Sequence, residues 1–459
     1  MANIHVDIHC HPSLKPYGKS FNRNPIGQNS TNVKDDNSLW YYDPPSLTDK
    51  LLNYIGGLTK FRQADASSLA HGNVKVICAS LYPLEKGFVK TKLGTNIIGD
   101  TLQNFITGIG KKRIDSLQQM TDYYEDVERE YNYYRELDNV TVEGKKYVIV
   151  RNYNEIEAAD ENTICIVITI EGLHVLNTTA PDDIVLANVD KIKAWPHKPF
   201  FVTVAHHFWN HLCGHAKSLS GVVGGVTDQS ENINTGITDL GWKVIDKLLD
   251  SDNRILIDIK HMSALSRQQY LSRYPDIPVI MSHGAANGWR NMNEQVVDLK
   301  DTGYKLLQED INFYDDEIVI MAKSNGIIGL QLDERRIASA ATLNDTPHSL
   351  FRNKIMHYRS ALLWNQVQHI AELLDKNDLF SWDCITIGSD FDGLIDPLNA
   401  FWTAEEIPFL SDFLERHAYN YMETRGKQVL KLFNRISANE IVSRIFADNA
   451  LRFMKQHFH

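Results

Sequence analysis

The chain has 459 residues, of which 43% are hydrophobic and 23% charged, a composition typical of a globular protein. Its formal net charge of -11 argues against non-specific binding to nucleic acids or anionic membranes, and we find no nucleic-acid-binding motif. No apolar stretch approaches the length of a membrane-spanning helix.

The cysteines and the N-terminus favour a cytoplasmic protein. The five cysteines are scattered, odd in number and without a Cys-x-x-Cys pair, which is typical of reduced thiols. The first predicted strand begins at residue 4 and leaves no room for a signal peptide. We therefore expect a cytoplasmic location.

Eight short apolar runs, rich in Val and Ile, are predicted to be strands. They cover residues 4–10, 74–81, 163–170, 200–205, 255–259, 278–282, 327–332 and 384–389. Runs that are nearly continuous in apolarity are typical of parallel strands buried on both faces. Amphipathic helices are predicted between several of them, at about 240–249, from the N-cap Ser263 onward, and at about 350–375. Ser437 and Glu440 form the pattern of a capping box near the C-terminus.

This alternation predicts an α/β protein with one domain, a closed (β/α)₈ TIM barrel spanning residues 1–459. An open doubly wound sheet is the alternative, but no Gly-x-Gly-x-x-Gly or P-loop follows any predicted strand.

Two long insertions follow strands 1 and 2. The loop at about 12–46 is polar and is either a lid over the catalytic face or a surface excursion. The insertion at about 84–162 is predicted to be mainly helical. Its tyrosines Tyr123, Tyr124, Tyr131 and Tyr134 lie at helical spacing, a pattern that favours internal packing or a subunit contact. The second alternative would make the protein a homodimer.

Five predicted strands end on potential metal ligands, and in a β/α barrel all such ends meet on one face. The ligands in question are His9 and His11, Glu171, His261, His283 and Asp390. His9 and His11 are two residues apart on a strand, so their imidazoles point to the same side and can hold one ion. The alternative is a pair of inward barrel residues with satisfied hydrogen bonds. Asp392 competes with Asp390, but a residue before Gly is typical of a turn.

Glu171 is predicted to bridge two ions, as carboxylates do in two-metal sites. His261 and His283 would complete the shell of the second ion. The His and carboxylate donors favour two zinc ions, with manganese, iron or cobalt as alternatives. His174 and Asp258 are predicted to orient ligands rather than to bind metal.

His206 follows the fourth strand and is needed by neither ion. His207, His211 and His215 lie close by in sequence, and for these three we expect a structural, solvent-facing role.

The motifs together resemble those of the membrane (renal) dipeptidase family of the amidohydrolase superfamily. They are Asp7-Ile8-His9-Cys10-His11, Ile170-Glu171-Gly172-Leu173-His174, Val202-Thr203-Val204-Ala205-His206, Leu256-Ile257-Asp258-Ile259-Lys260-His261, Pro278-Val279-Ile280-Met281-Ser282-His283, Arg290-Asn291 and Gly388-Ser389-Asp390-Phe391-Asp392-Gly393. The combination is specific, whereas no single motif is.

The resemblance implies a (β/α)₈ barrel with a binuclear zinc centre that hydrolyses dipeptides. One ion would be held by His9, His11, Glu171 and Asp390, and the other by Glu171, His261 and His283. His206 would contact the substrate carbonyl, and Arg290 the substrate carboxylate. In that mechanism a hydroxide between the ions attacks the amide carbon, and Asp390 passes the proton to the departing amine.

Three features depart from the family pattern. His11 stands where the family usually has Asp, Gln331 lies where a substrate tyrosine is expected, and both insertions are longer. The alternatives to a dipeptidase are therefore a hydrolase of another small amide, a lactone or an N-acyl amino acid, and a barrel that binds metal without turnover.

Overall fold

The computed structural model describes residues 4–57, 59–90, 103–104, 107–219, 221–250, 253–291, 294–295 and 305–459 of the chain.

The main sheet is a barrel of parallel strands. In spatial order its described strands are β1 (His5–Cys10), β2 (Val74–Leu81), β4 (Thr163–Glu171), β5 (Phe201–Thr203), β6 (Leu256–Asp258), β7 (Ile280–Gly284), β10 (Ile327–Leu330) and β11 (Ile385–Ile387). Every neighbouring pair in this order is parallel. The first and last strands meet where His11 N donates to Phe391 O at 2.8 Å and Asp390 N donates to His9 O at 2.9 Å. The predicted barrel is confirmed, and all eight predicted strands are present.

The buried strand residues form an inner and an outer layer. Val6, Ile8, Val167 and Leu256 belong to a cluster inside the barrel, which the C-terminal helix Asn449–His457 closes at the bottom. Alternate strand residues belong to a larger cluster that packs against the surrounding helices. Because apolar residues fill the lower interior, the polar strand ends face the opposite mouth.

Helices connect and surround the strands. Their bounds are Leu14–Ser20, Leu47–Gly56, Ala66–His71, Lys86–Val89, Lys111–Gln118, Tyr123–Arg135, Tyr153–Glu157, Asp182–Lys193, Gly221–Val226, Asp239–Leu249, Ala264–Arg273, Asp315–Lys323, Glu334–Ile337, Ala340–Asp345, Arg352–Lys376, Ile407–Tyr421, Lys427–Val429, Ala438–Ser443 and Asn449–His457. Within the described ranges, no helix is both long and apolar enough to cross a membrane.

The predicted N-caps Ser263 and Ser437 are confirmed, but the predicted capping box is only half formed. Ser263 caps its helix by accepting from Ser266 N. Ser437 likewise accepts from Glu440 N, but the second half of the predicted capping box is replaced. The Glu440 carboxylate accepts from the Arg444 guanidinium instead, at 2.9 Å from Nη2. An ion pair one helical turn away thus takes the carboxylate from the cap.

The insertion after β2 contains a strand as well as helices. Strand β3 (Lys146–Ile149) pairs with the first half of β4, below the place where β5 pairs with its end. Of the tyrosine stripe, Tyr124, Tyr131 and Tyr134 are buried. The stripe therefore contributes to internal packing, and a homodimer stays a prediction.

The loop after β1 is anchored at two places. Near its start, Lys15 Nζ donates to Asp392 Oδ1 at 2.7 Å, at the mouth of the barrel. Near its end, Trp40 stacks on Tyr147 of β3 with ring centroids 6.1 Å apart. A role as a lid stays a prediction. Two short strands, β8 (Trp289–Asn291) and β9 (Glu294–Gln295), form a separate antiparallel pair.

Candidate metal centre

The six predicted ligands converge at the barrel mouth. His9 and His283 lie within β1 and β7, Glu171 is the last residue of β4, and the other three follow β1, β6 and β11. All six residues are buried: His9, His11, Glu171, His261, His283 and Asp390. The structure brings together the side chains that the sequence singled out, while their binding of metal stays a prediction.

One half of the site surrounds Oε2 of Glu171, and we call it the first half. His11 Nε2 lies 3.0 Å from this oxygen and His9 Nε2 3.6 Å from it. The two imidazole nitrogens are 3.1 Å apart. Asp390 Oδ1 lies 3.5 Å from His11 Nε2 and 3.8 Å from His9 Nε2. Two imidazoles and two carboxylates thus point at one small volume.

The other half, which we call the second half, surrounds Oε1 of Glu171. His261 Nε2 and His283 Nε2 each lie 3.3 Å from it. Their nitrogens are 3.2 Å apart. Each oxygen of one buried carboxylate therefore faces two of the predicted imidazole ligands, and Oε2 also faces His206 Nε2 at 3.5 Å.

These donors fit two divalent transition-metal ions. Imidazole and carboxylate are the ligands that such ions prefer. Glu171 Oε1 is buried and has no hydrogen-bond partner among the described residues, which is costly unless something else satisfies it. A cation on each side of Glu171 would supply that partner.

The two halves differ in electrostatics. Burial raises the pKa of Glu171, but electrostatic interactions with the surrounding imidazoles, the largest from His206, and a hydrogen bond from His11 outweigh it and hold the pKa well below its usual value. Burial alone would lower the pKa of His11, yet hydrogen bonds to Asp390 and Glu171 raise it to about 10. The first half therefore holds a proton in the absence of metal.

In the second half burial dominates. It lowers the pKa of His261 and of His283 well below the usual value, and neighbouring positive groups add to this effect. Both imidazoles are therefore neutral near pH 7, the form that binds metal.

Two of the ligands have left-handed backbones. His261 has φ 64° and Asp390 has φ 60°, in a region that non-glycine residues rarely adopt. Such strain persists only where the surrounding structure imposes it, and it clusters at functional sites.

A buried network orients the ligands. Ser282 Oγ is 2.8 Å from His283 Nδ1 and donates to Asp258 Oδ2 at 2.6 Å, so Asp258 reaches the ligand through Ser282. His11 Nδ1 is 3.1 Å from the carbonyl oxygen of Ser80, which suits donation from that nitrogen and leaves Nε2 for the site.

His206 lies on the Oε2 side of Glu171 but is not one of the six predicted ligands. Its Nε2 is 3.5 Å from Glu171 Oε2, and its Nδ1 is 2.9 Å from Glu85 Oε2. Tyr82 OH also donates to that Glu85 oxygen at 2.8 Å, and Phe208 N donates to the other at 3.2 Å. Despite burial, which raises it, the pKa of Glu85 is lowered to about 2 by His206 and these hydrogen bonds. Glu85 is a buried, fully paired carboxylate that fixes the His206 ring.

Glu85 and Lys260 were not among the predicted site residues. Glu85 lies four residues beyond β2, and a carboxylate just after a strand is the signal that could have revealed it. Lys260 is buried next to His261, and desolvation lowers its pKa to about 7. A lysine directly after an apolar strand run was the available signal.

Gln331 takes part in the site, where the family pattern suggested a tyrosine. Its Nε2 donates to Asp390 Oδ2 at 2.7 Å, and its Oε1 is buried without a partner among the described residues. Gln331 therefore orients Asp390 so that Oδ1 faces the two histidines.

The competing candidates lie elsewhere. The Asp392 carboxylate accepts from Lys15 Nζ and from the backbone N of Gln63 and Ala64, so it anchors the loop. Its role as a turn former agrees with its φ of 66°. His174 Nε2 lies 2.7 Å from the carbonyl oxygen of Pro83, and among the described residues no hydrogen bond joins it to a predicted ligand, so its orienting role stays a prediction.

The expectation for the neighbouring histidines is partly wrong. His215 is buried, with its ring nitrogens near the carbonyls of Ala216 and Glu231. His207 packs on His206 at 3.8 Å between ring centroids, so it lines the site. For Arg290, the backbone lies in β8, but its side chain lies outside what the structure describes.

Comparison with known proteins agrees with this geometry. The model of the membrane dipeptidase family, peptidase family M19, matches residues 46–457. The matched segment contains Glu171, His261, His283 and Asp390 but begins after His9 and His11. No curated protein sequence gives a significant match.

Three solved structures share the fold. Dipeptidase AC, a metallopeptidase of family M19, superposes with a TM-score of 0.53 at 11% identity, covering 100% of this chain and 99% of that one. The probable dipeptidase PvdM from Pseudomonas aeruginosa gives 0.53 at 13%, covering 99% and 95%. A metallopeptidase from Rhodobacter sphaeroides, solved with a phosphinate mimic of the dipeptide L-Ala-D-Ala, gives 0.54 at 12%, covering 99% of both chains.

At these sequence identities the superpositions establish that the fold is shared. Membership of the family is established by the match to the family model. Since that match spans most of the sequence, the chain belongs to the membrane dipeptidase family, peptidase family M19, and is a metal-dependent dipeptidase.

Proposed function

We propose that the enzyme works with two divalent cations, one in each half of the site, and that zinc is the metal. The observation that supports this most strongly is that the two oxygens of Glu171 face different histidines. Oε2 lies near His9, His11 and His206, and Oε1 lies near His261 and His283. Asp390 would complete the first half. Manganese, iron and cobalt accept the same donors.

When bound, such cations polarise a carbonyl oxygen and lower the pKa of water to about 7. The roles proposed for the protein's own side chains follow from where they lie.

His206 would donate a hydrogen bond to the carbonyl oxygen of the scissile amide. Burial lowers its pKa, but the charges of Glu171 and Glu85 outweigh this and raise the pKa above its usual value. Protonated at Nδ1 toward Glu85, the ring presents Nε2 to the site. A positioned donor to a developing oxyanion contributes about 3–4 kcal/mol.

Asp390 would accept the proton of the attacking water and deliver it to the departing amine. Its Oδ2 is held by Gln331, so the carboxylate keeps one orientation through both transfers. Arg290 would bind the main-chain carboxylate of the dipeptide, for which a guanidinium provides a matching planar fork.

The remaining sequence-based predictions, a cytoplasmic location and a homodimer, are proposals of the same standing. The second candidate function, hydrolysis of another small amide or lactone, would use the same groups and differ only in what binds at Arg290.

The test is turnover of a dipeptide panel by purified protein whose metal content is measured by elemental analysis. We expect hydrolysis that a chelator abolishes and that zinc or manganese restores. Full activity in metal-free protein, or metal-loaded protein that cleaves none of the panel, would contradict the proposal. Activity on N-acyl amino acids or lactones but not on dipeptides would favour the second candidate.

A further inference from the structure

Gln331 is a buried amide at the mouth of the barrel. It directly follows β10, in which Ile327 belongs to the cluster inside the barrel and Leu330 to the larger cluster against the helices. The alternation of side chains therefore turns residue 331 toward the interior of the barrel, at the end where the predicted ligands lie. Only 4% of its surface is exposed.

The two polar atoms of the Gln331 side chain differ in their partners. Nε2 donates to Asp390 Oδ2 at 2.7 Å, and because an ionised carboxylate only accepts, this contact fixes which end of the amide is the oxygen. Oε1 is buried, and no residue in the described part of the chain donates to it. A buried carbonyl oxygen without a donor is unfavourable, so we expect a bound molecule to supply one.

Oε1 of Gln331 lies next to the first half of the metal centre. It is bonded to the same carbon as Nε2, which contacts Asp390 Oδ2. The other oxygen of that carboxylate, Oδ1, lies 3.5 Å from His11 Nε2 and 3.8 Å from His9 Nε2. One carboxylate thus separates Gln331 from the predicted ligands, and a donor at Oε1 would belong to a molecule bound against them.

The acceptors at this place suit an ammonium group. Each oxygen of an ionised carboxylate has about two acceptor positions, so Asp390 Oδ2 keeps capacity beside its bond with Gln331. Asp390 Oδ2 and Gln331 Oε1 are then neighbouring acceptors, of which one carries negative charge and the other is neutral. An ammonium group, with three N–H donors and a positive charge, matches both, whereas a single amide N–H matches one.

We propose that Gln331 Oε1 accepts a hydrogen bond from the free α-ammonium group of the dipeptide, which makes Gln331 a specificity-determining residue for substrates with an unblocked amino end. This rests on the proposed function, in which Arg290 binds the carboxylate of the same substrate. An N-acyl amino acid has the same amide and carboxylate but no ammonium group. Gln331 therefore favours dipeptides over the substrates of the second candidate function.

The test compares each dipeptide with its des-amino counterpart, in which hydrogen replaces the amino group. Alanyl-alanine and propionyl-alanine are the first pair. We expect the metal-loaded enzyme to favour the dipeptide by at least about 100-fold in kcat/KM. In Gln331→Met, which has a similar length but no acceptor, this ratio should become at least about tenfold smaller. Gln331→Glu keeps an oxygen acceptor and should keep most of the ratio.

Gln368→Met is the matched control. Gln368 also donates to a carboxylate, that of Glu372 at 3.0 Å, but it lies on the outer helix Arg352–Lys376. Its substitution should leave both rates and their ratio unchanged. In Gln331→Met the loss of Nε2 also releases Asp390 and lowers the rates for both compounds, so the ratio is the readout that reports on Oε1. Thermal melts and metal analysis establish that each variant is folded and loaded.

Two outcomes would overturn the proposal. One is a ratio near one, or a preference for the des-amino compound, in the unsubstituted enzyme. The other is an equal loss for both compounds in Gln331→Met, because Gln331 would then act only through Asp390 or on the scissile amide that both compounds share.

Failure of the proposed function has a different signature. If the loaded protein cleaves neither compound, calorimetric titration with both intact compounds still measures the preference for the ammonium group. A preference that is lost in Gln331→Met would support the binding role of Gln331 without hydrolysis. Equal or undetectable binding of the two compounds would overturn the inference together with the proposed function.

Discussion

The two halves of the candidate metal centre share Glu171 but are built differently. The first half combines two imidazoles with Asp390 and holds a proton on His11. The second half offers only His261 and His283 besides Glu171, and both imidazoles are neutral. The additional carboxylate in the first half favours tighter binding of a cation. A cation can bind there only after the proton on His11 has left. We therefore expect the two halves to bind metal with different affinity and different pH dependence.

The largest effect is expected for Glu171→Gln, which removes the carboxylate common to both halves. The amide is nearly the same size, so the fold should persist while bridging is lost. We expect the metal content to fall below two equivalents and kcat/KM to drop at least about 1,000-fold, about 4 kcal/mol in the barrier. Glu157→Gln, on an exposed helix end, is the control and should behave like the unsubstituted protein. Two metals retained in the Glu171→Gln variant would show that Glu171 is not the bridge.

His206→Ala should separate catalysis from metal binding. Because we propose His206 as a hydrogen-bond donor to the substrate and not as a ligand, the variant should keep its metal and lose about 100- to 1,000-fold in kcat. Elemental analysis and steady-state kinetics on the same sample decide this. Loss of metal would instead make His206 a ligand of the first half, whose Oε2 it faces at 3.5 Å.

Single ligand deletions should distinguish the halves directly. His283→Ala leaves only His261 and Glu171 in the second half, so that half should empty and one metal equivalent should remain. His11→Ala leaves three donors in the first half, so we expect weakened rather than abolished binding there. Metal titration followed by elemental analysis measures both, and equal losses in the two variants would contradict the comparison.

A smaller effect is expected for Glu85→Gln. The amide can still meet His206 Nδ1 but no longer supplies the negative charge that favours its protonated form. Loss of a group that orients a functional side chain costs about 10- to 100-fold. We expect a decrease in kcat with an acid-shifted upper limb of the pH profile and unchanged metal content. A change in KM alone would contradict a role through His206.

The pH dependence of loading should differ between the halves. The pKa of His11 in the folded, metal-free protein is raised to about 10, so its contribution to stability is present below its unfolded value and is lost as the pH rises through about 10. A metal entering the first half displaces that proton, so its affinity should rise by up to about tenfold per pH unit between neutral pH and about 9. The second half binds metal through imidazoles that are already neutral, so its affinity for metal should stay nearly constant over the same pH range. Competition titrations with a chelator at several pH values test both expectations.

Much of the barrel and of its ligands was predictable from local patterns. Each strand is a short run of β-branched and apolar residues. The end of such a run, together with the alternation of side chains along it, is enough to predict where a ligand at the strand end lies. His9, Glu171 and His283 follow from such short segments. The family match, which begins at residue 46, does not extend to His9 and His11, and their place in the first half was predicted from spacing and resemblance.

Other features depend on which distant segments meet. Glu85 acts on His206 across 121 positions of the chain, and Gln331 holds Asp390 across 59. No periodicity encodes such pairs, because they arise from the order of strands around the barrel and from the paths of the loops between them. The capping box at Ser437 failed for a related reason, since Arg444 competed for the Glu440 carboxylate.

The amino-acid sequence by itself determined the alternation of strands and helices, the barrel and the identity of the donor side chains. These features depend on contacts between near neighbours in the chain and on the alternation of side chains along each strand. Only the tertiary structure decided how the donors divide between the two oxygens of Glu171, which groups hold His206 and Asp390 in place, and that Lys260 is buried. Those properties depend on distances between segments remote in the chain and on the exclusion of water when the barrel closes.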